Sequence, residues 1–131
     1  MSIPNATMRT PMSQVRGLGP ARSGTGHFWM QRVTAVANVV LAFAFVAIVI
    51  ALFGRNYSAA RALLAQPLVA LLLALFVVSG CIHMRLGMQV ILEDYVHGEA
   101  AKVLAVMANL FFAIAVAAAS LFAIFKLAVG G

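Results

Sequence analysis

Between Val33 and Phe53 the chain runs for 21 residues without a charge, matching the roughly 20 residues an α-helix needs to cross a hydrocarbon core of about 30 Å. A second such run, Val103 to Phe125, is bracketed by Lys102 and Lys126. No water reaches the backbone inside a bilayer, so each run must satisfy its own N–H and C=O groups as a helix. Between them, Leu68 to Ile82 offers only 15 apolar residues, too few to cross. This middle span must continue through His83 to about Leu92 or Asp94, which predicts that His83 and Arg85 lie at membrane depth.

Composition excludes a soluble domain, since 64% of the 131 residues are hydrophobic and only 9% are charged. The predicted fold is an all-α integral membrane protein of three transmembrane helices, part of a larger bundle completed by a partner subunit. The spans cover about 30–53, 67–94 and 102–127, within an anchor domain of residues 27–131. Gly54 to Gln66 and Glu93 to Ala101 form the short connections. Gly54 and Asn56 read as helix-ending residues, Ser58 to Ala65 as a short interfacial helix, and Pro67 as the start of the second span.

Residues 1–26 lack hydrophobic periodicity and are expected to form a flexible cytoplasmic segment. They contain no apolar signal core, so the first span is expected to act as its own insertion signal. The net charge of +6 reflects the positive-inside rule rather than nucleic-acid binding. Arg9, Arg16, Arg22, Arg32 and Lys102 gather on one side, against Arg55, Arg61 and Lys126 on the other. This bias predicts a cytoplasmic N-terminus and a periplasmic C-terminus. The single cysteine, Cys81, rules out an intrachain disulfide and reads as a small buried hydrophobe.

Chemistry concentrates in the second span. At about 100° per residue, His83, Gly87, Val90 and Asp94 share one helical stripe. Gly87 predicts a notch one turn from the imidazole, where a side chain would obstruct a flat group, and imidazole is a standard axial ligand of haem iron. On the residues alone, His83 reads equally as a histidine hydrogen-bonded to a neighbouring helix. Asp94 and Tyr95 lie about 16 to 18 Å farther along the axis. There a tyrosine hydroxyl can donate to a quinone carbonyl while a carboxylate delivers protons, or the pair simply marks a helix end with an interfacial tyrosine. Arg85 points about 200° away from His83 and calls for an acidic partner, a water-lined cavity or a cofactor carboxylate. His97 and Glu99 read as solvated residues of the second connection. Phe28, Trp29 and Arg32 read as interfacial anchors, and the alanines from Ala113 to Ala119 with Ser120 as a surface for close helix approach.

Two blocks carry a family resemblance: H-x-x-x-G-x-x-x-I-x-x-D-Y-V-H-G from His83 to Gly98, and G-H-F-W-x-Q-R-V-T-A from Gly26 to Ala35. Together with three spans, they resemble the hydrophobic membrane anchor subunit of succinate dehydrogenase (succinate:quinone oxidoreductase), most closely its alphaproteobacterial and mitochondrial branch. The resemblance covers approximately residues 24–127 in topology. The enzyme has a second, companion membrane subunit, and the H-R-x-[ST]-G block typical of that companion is absent. Met84 and Arg85 depart from the more apolar or aromatic pair often found after the histidine.

The resemblance implies that His83 is an axial ligand of a haem b shared with the companion membrane subunit, and that Tyr95 hydrogen-bonds ubiquinone with Asp94 beside it. It further implies that Arg32 lies near the haem propionates or the quinone. Some members lack the histidine, so its presence here favours haem. The implied partners are the companion membrane subunit, the iron–sulfur subunit, the flavoprotein subunit that oxidises succinate, and membrane lipid, with the bacterial inner membrane as location. Three other readings differ in function: a fumarate reductase anchor, a structural or assembly subunit of another complex, and a transporter component relaying protons through His83, Arg85 and Asp94. The opposed directions of Arg85 and His83 disfavour the relay.

Overall fold

The computed structural model describes residues 21–130. Among these described residues are four helices: α1 (Ala21–Leu52), α2 (Tyr57–Leu64), α3 (Pro67–Tyr95) and α4 (Glu99–Val129). Three of these are long and apolar enough to cross a membrane, over Gly24–Leu52, Pro67–Tyr95 and Glu99–Val129. The chain is a multi-pass membrane protein.

Each boundary has a local cause. Gly54 ends the first span with φ of 74°, a left-handed conformation glycine adopts without a Cβ penalty. The Arg55 guanidinium donates from Nε to the Ala51 carbonyl at 2.6 Å, satisfying one of the carbonyls a helix end leaves open. Asn56 has the opposite role to the helix-ending one expected. Its side-chain oxygen accepts from the Ala59 N–H at 2.9 Å and caps the start of α2. Pro67 occupies the first turn of α3, where its missing N–H costs nothing.

Two boundaries differ from the expected ones. Helix α1 begins at Ala21, ahead of His27, because extending an existing helix gains one hydrogen bond for each residue fixed. Residues 1–20, most of the segment expected to be flexible, lie outside the described residues. The second connection shrinks to Val96–Gly98, since α4 starts at Glu99. Glu99 is thus an acidic residue in a first helical turn, where the helix dipole favours it, rather than a connection residue.

Helix α3 packs against α1 on one side and α4 on the other, while α1 and α4 make almost no contact with each other. Three helices arranged this way form an open layer that encloses nothing. Only Thr34, Ile48, Val69, Ala70, Leu86 and Ala113 are buried among the described residues. Phenylalanines of α1 and α4, including Phe43, Phe111 and Phe122, remain exposed, which suits lipid or a partner subunit. The small residues of α4 divide by face. Ala113 is 4% exposed and lines the groove against α3 with Ala117, whereas Ala115, Ala118 and Ala119 face outward. Phe45 of α1 and Phe76 of α3 stack at 5.1 Å between ring centroids.

Candidate functional site

Polar residues at His27, Gln31, Thr34 and Asn38 follow spacings of four, three and four, so they form one stripe on α1. This stripe meets the His83 stripe of α3. His83 Nδ1 lies 3.2 Å from Thr34 Oγ1, and Thr34 is only 5% exposed. The same hydroxyl reaches back to the Met30 carbonyl at 2.8 Å and the Gln31 carbonyl at 3.1 Å. One turn before His83, Ser79 Oγ donates to the Thr34 carbonyl at 3.4 Å. Ser79 and His83 therefore straddle Thr34 and lock the α1–α3 seam. One turn beyond Thr34, Asn38 Oδ1 is buried without a hydrogen-bond partner among the described residues. The polar stripe is thus incomplete among the described residues, since an unpaired buried acceptor costs about 1 to 3 kcal/mol.

Gly87 shares its stripe with His83 and faces α1, where an added Cβ would meet the movable amide end of Gln31 at 3.4 Å. The open space lies alongside, in a groove of about 500 Å³ lined by His27, Phe28, Gln31, Arg32, Leu86 and Val90, among others. Arg32 holds its guanidinium carbon 4.4 Å above the centre of the Phe28 ring, a cation–π geometry. Phe28 in turn meets Trp29 edge-on at 6.2 Å.

These contacts set the antiparallel register. Thr34 stands opposite His83 and Gln31 opposite Gly87, so Arg32 is level with Arg85 and Leu86. Tyr95 lies about 15 Å beyond that level, at 1.5 Å per residue. Arg32 and Tyr95 therefore stand at different heights along the α1–α3 pair. At the opposite end, Gly54, Arg55, Asn56 and Gln66 form a polar boundary. At 29 residues, α3 exceeds the roughly 20 that a perpendicular crossing needs, and tilt against its neighbours takes up the excess.

The Arg85 side chain is exposed and lines a groove between α3 and α4 with Cys81, Ile82, Leu110 and Ala113, without a carboxylate among the lining residues. From an open groove its long stem can carry the guanidinium toward headgroups and water. Arg85 does tie α3 to α4, but through its backbone: Asn109 Nδ2 donates to the Arg85 carbonyl at 2.9 Å. Tyr95 is the last residue of α3 and 76% exposed, and Asp94 and His97 are also exposed. The polar contact formed at this end of α3 is a different one, with Gln89 Nε2 donating to Glu93 Oε1 at 2.8 Å.

Among the described residues, no three His, Cys, Asp or Glu side chains converge to chelate a metal. A haem fits the donor set better, because its porphyrin provides four nitrogens and asks this chain for a single imidazole. Gln31, Thr34, Asn38 and Asn109 were not singled out by sequence reasoning. The four-three-four spacing of polar residues within an apolar helix was the available signal for the first three.

An open layer of three spans, with a polar seam between α1 and α3 and an unfinished outer surface, defines a membrane-embedded subunit of a larger complex. Comparison with known proteins narrows this class. Residues 6–124 match the model of the succinate dehydrogenase/fumarate reductase transmembrane subunit family, and the chain belongs to that family. It is 35% identical over 121 residues, covering 92% of this chain and 93% of the relative, to the succinate dehydrogenase hydrophobic membrane anchor subunit of Paracoccus denitrificans. The corresponding subunit of Rickettsia bellii (strain RML369-C) is 26% identical over 117 residues, with 89% and 94% covered. No solved structure matches the chain.

Proposed function

We propose that this chain is the hydrophobic membrane anchor of a succinate:quinone oxidoreductase, holding one axial position of a haem b through His83 and forming part of a ubiquinone-reduction site with Tyr95 and Asp94. The observation that carries the reading is the pinning of the His83 imidazole at the α1–α3 seam, by Thr34, on the span that ends in Asp94 and Tyr95. The companion membrane subunit supplies the opposite ligand and covers the open layer. The iron–sulfur subunit delivers electrons, and the flavoprotein subunit carries succinate oxidation. The N-terminus then faces the cytoplasm, across the bacterial inner membrane.

Haem, when bound, supplies one-electron storage close to the quinone. The residues of this chain bind and position. Arg32 and His27 line the groove beside the seam, where a guanidinium would pair with a propionate carboxylate. Tyr95 donates its hydroxyl proton in a hydrogen bond to a quinone carbonyl, which strengthens as negative charge develops there. Reduction of quinone to quinol consumes two electrons and two protons, and exposed Asp94 is suited to pass protons from water toward that oxygen.

A dithionite-reduced minus oxidised spectrum tests the assignment on the complex purified through this chain. Wild type is expected to show a b-type signal that His83→Ala abolishes. A wild-type complex without that signal would sink the haem assignment.

A further inference from the structure

We propose that Thr34 is a positioning residue for His83, selecting the imidazole tautomer that carries its hydrogen on Nδ1 and keeps the Nε2 lone pair for iron. The inference rests on the haem reading of His83 given above. A threonine hydroxyl has one hydrogen and two lone pairs. Thr34 Oγ1 stands 2.8 Å from the Met30 carbonyl, nearer than the 3.1 Å to Gln31 and the 3.2 Å to His83 Nδ1. The hydroxyl hydrogen therefore goes to Met30, in the back-bond that a helical threonine makes to the carbonyl four residues before it. What the oxygen offers His83 is a lone pair, and Nδ1–H donates into it.

The consequence is both orientational and electronic. An imidazole whose remote N–H donates to an acceptor is fixed in rotation and becomes a more basic ligand. Greater basicity stabilises ferric over ferrous iron and lowers the potential of the couple. Thr34 is buried at 5% exposure, which shields this hydrogen bond from competing water. Ser79 supports the arrangement by donating to the Thr34 carbonyl. No residue on α3 itself is needed to hold the ring.

The test is redox titration on the whole complex carrying Thr34→Val, Thr34→Ser or the wild-type residue. Valine keeps the shape and removes the acceptor. The Thr34→Val complex is expected to retain haem with a raised midpoint potential. A hydrogen bond of ordinary net strength corresponds to roughly a two- to tenfold change in the ferrous-to-ferric ratio, or about 18 to 59 mV at 59 mV per decade for one electron. Thr34→Ser is expected to restore the wild-type potential. Unshifted potential in a haem-bearing Thr34→Val complex overturns the role of Thr34 and leaves the haem reading standing, whereas a wild-type complex without haem overturns both. Should Thr34→Val fail to assemble, Thr34→Ala carries the same test, and a haem-bearing Thr34→Ala complex at the wild-type potential overturns the proposal.

Discussion

Gln31 of α1 and Gly87 of α3 face each other across the seam, the Gln31 amide nitrogen 3.4 Å from where a Cβ on Gly87 would stand. That distance is ordinary contact with the movable end of a side chain. Gly87→Ala should therefore assemble normally, and the helix interior gains about 0.5 to 1 kcal/mol from replacing glycine. Thermal dissociation of the solubilised complex is expected at or above the wild-type temperature, with the haem-to-protein ratio unchanged. Gly87→Leu, which overfills the seam at a cost of about 1 to 3 kcal/mol, should lower that temperature. Loss of haem from an otherwise intact Gly87→Ala complex would return the glycine to the haem face.

Tyr95 exposes three-quarters of its surface at the end of α3, so its ring packs little and Tyr95→Phe should leave assembly alone. The missing hydroxyl removes one hydrogen bond to the quinone carbonyl, worth up to about tenfold. We expect succinate–ubiquinone activity to fall several-fold while succinate oxidation with an artificial water-soluble acceptor persists. Equal losses in both assays would argue against a quinone role for Tyr95.

Arg85 projects into the α3–α4 groove, away from the Thr34–His83 seam. Arg85→Leu therefore deletes a charge that holds no site residue in place. Haem content and quinone reductase activity within about twofold of wild type are expected, since surface substitutions away from a site usually cost about 0.5 kcal/mol or less. A collapse of the b-type spectrum in Arg85→Leu would show that this side chain reaches the haem after all.

The spans, the Pro67 start and the Gly54 stop were legible because each depends on local chemistry: run length, a missing N–H, a left-handed φ. The common stripe of His83 and Gly87 was legible because a helix advances by a fixed angle. Height and partners were not. Helix α1 is apolar around most of its circumference, so hydrophobicity gave no clue to which face meets α3. The contacts of Thr34 with His83 and of Gln31 with Gly87 reveal the rotation and register of α1, and hence that Arg32 lies level with Arg85 rather than with Tyr95. Asn56 was misread for a related reason, since asparagine suits both helix ends and only its bond to Ala59 decides between them.

Asn109 donates to the Arg85 carbonyl across the α3–α4 seam at 2.9 Å, a contact on the opposite side of α3 from the candidate site. Hydrogen bonds between membrane helices average about 0.6 kcal/mol and reach about 1.7, because in their absence the same groups find other partners. Asn109→Ala should therefore lower the dissociation temperature of the complex only slightly. The b-type spectrum and the haem potential should not move, since the hydrogen bonds of the Thr34–His83 pair run to α1 and α3 residues. A shifted potential in Asn109→Ala would mean that the α4 seam is mechanically coupled to His83 through α3, and would remove the basis for treating the two faces of that helix as independent.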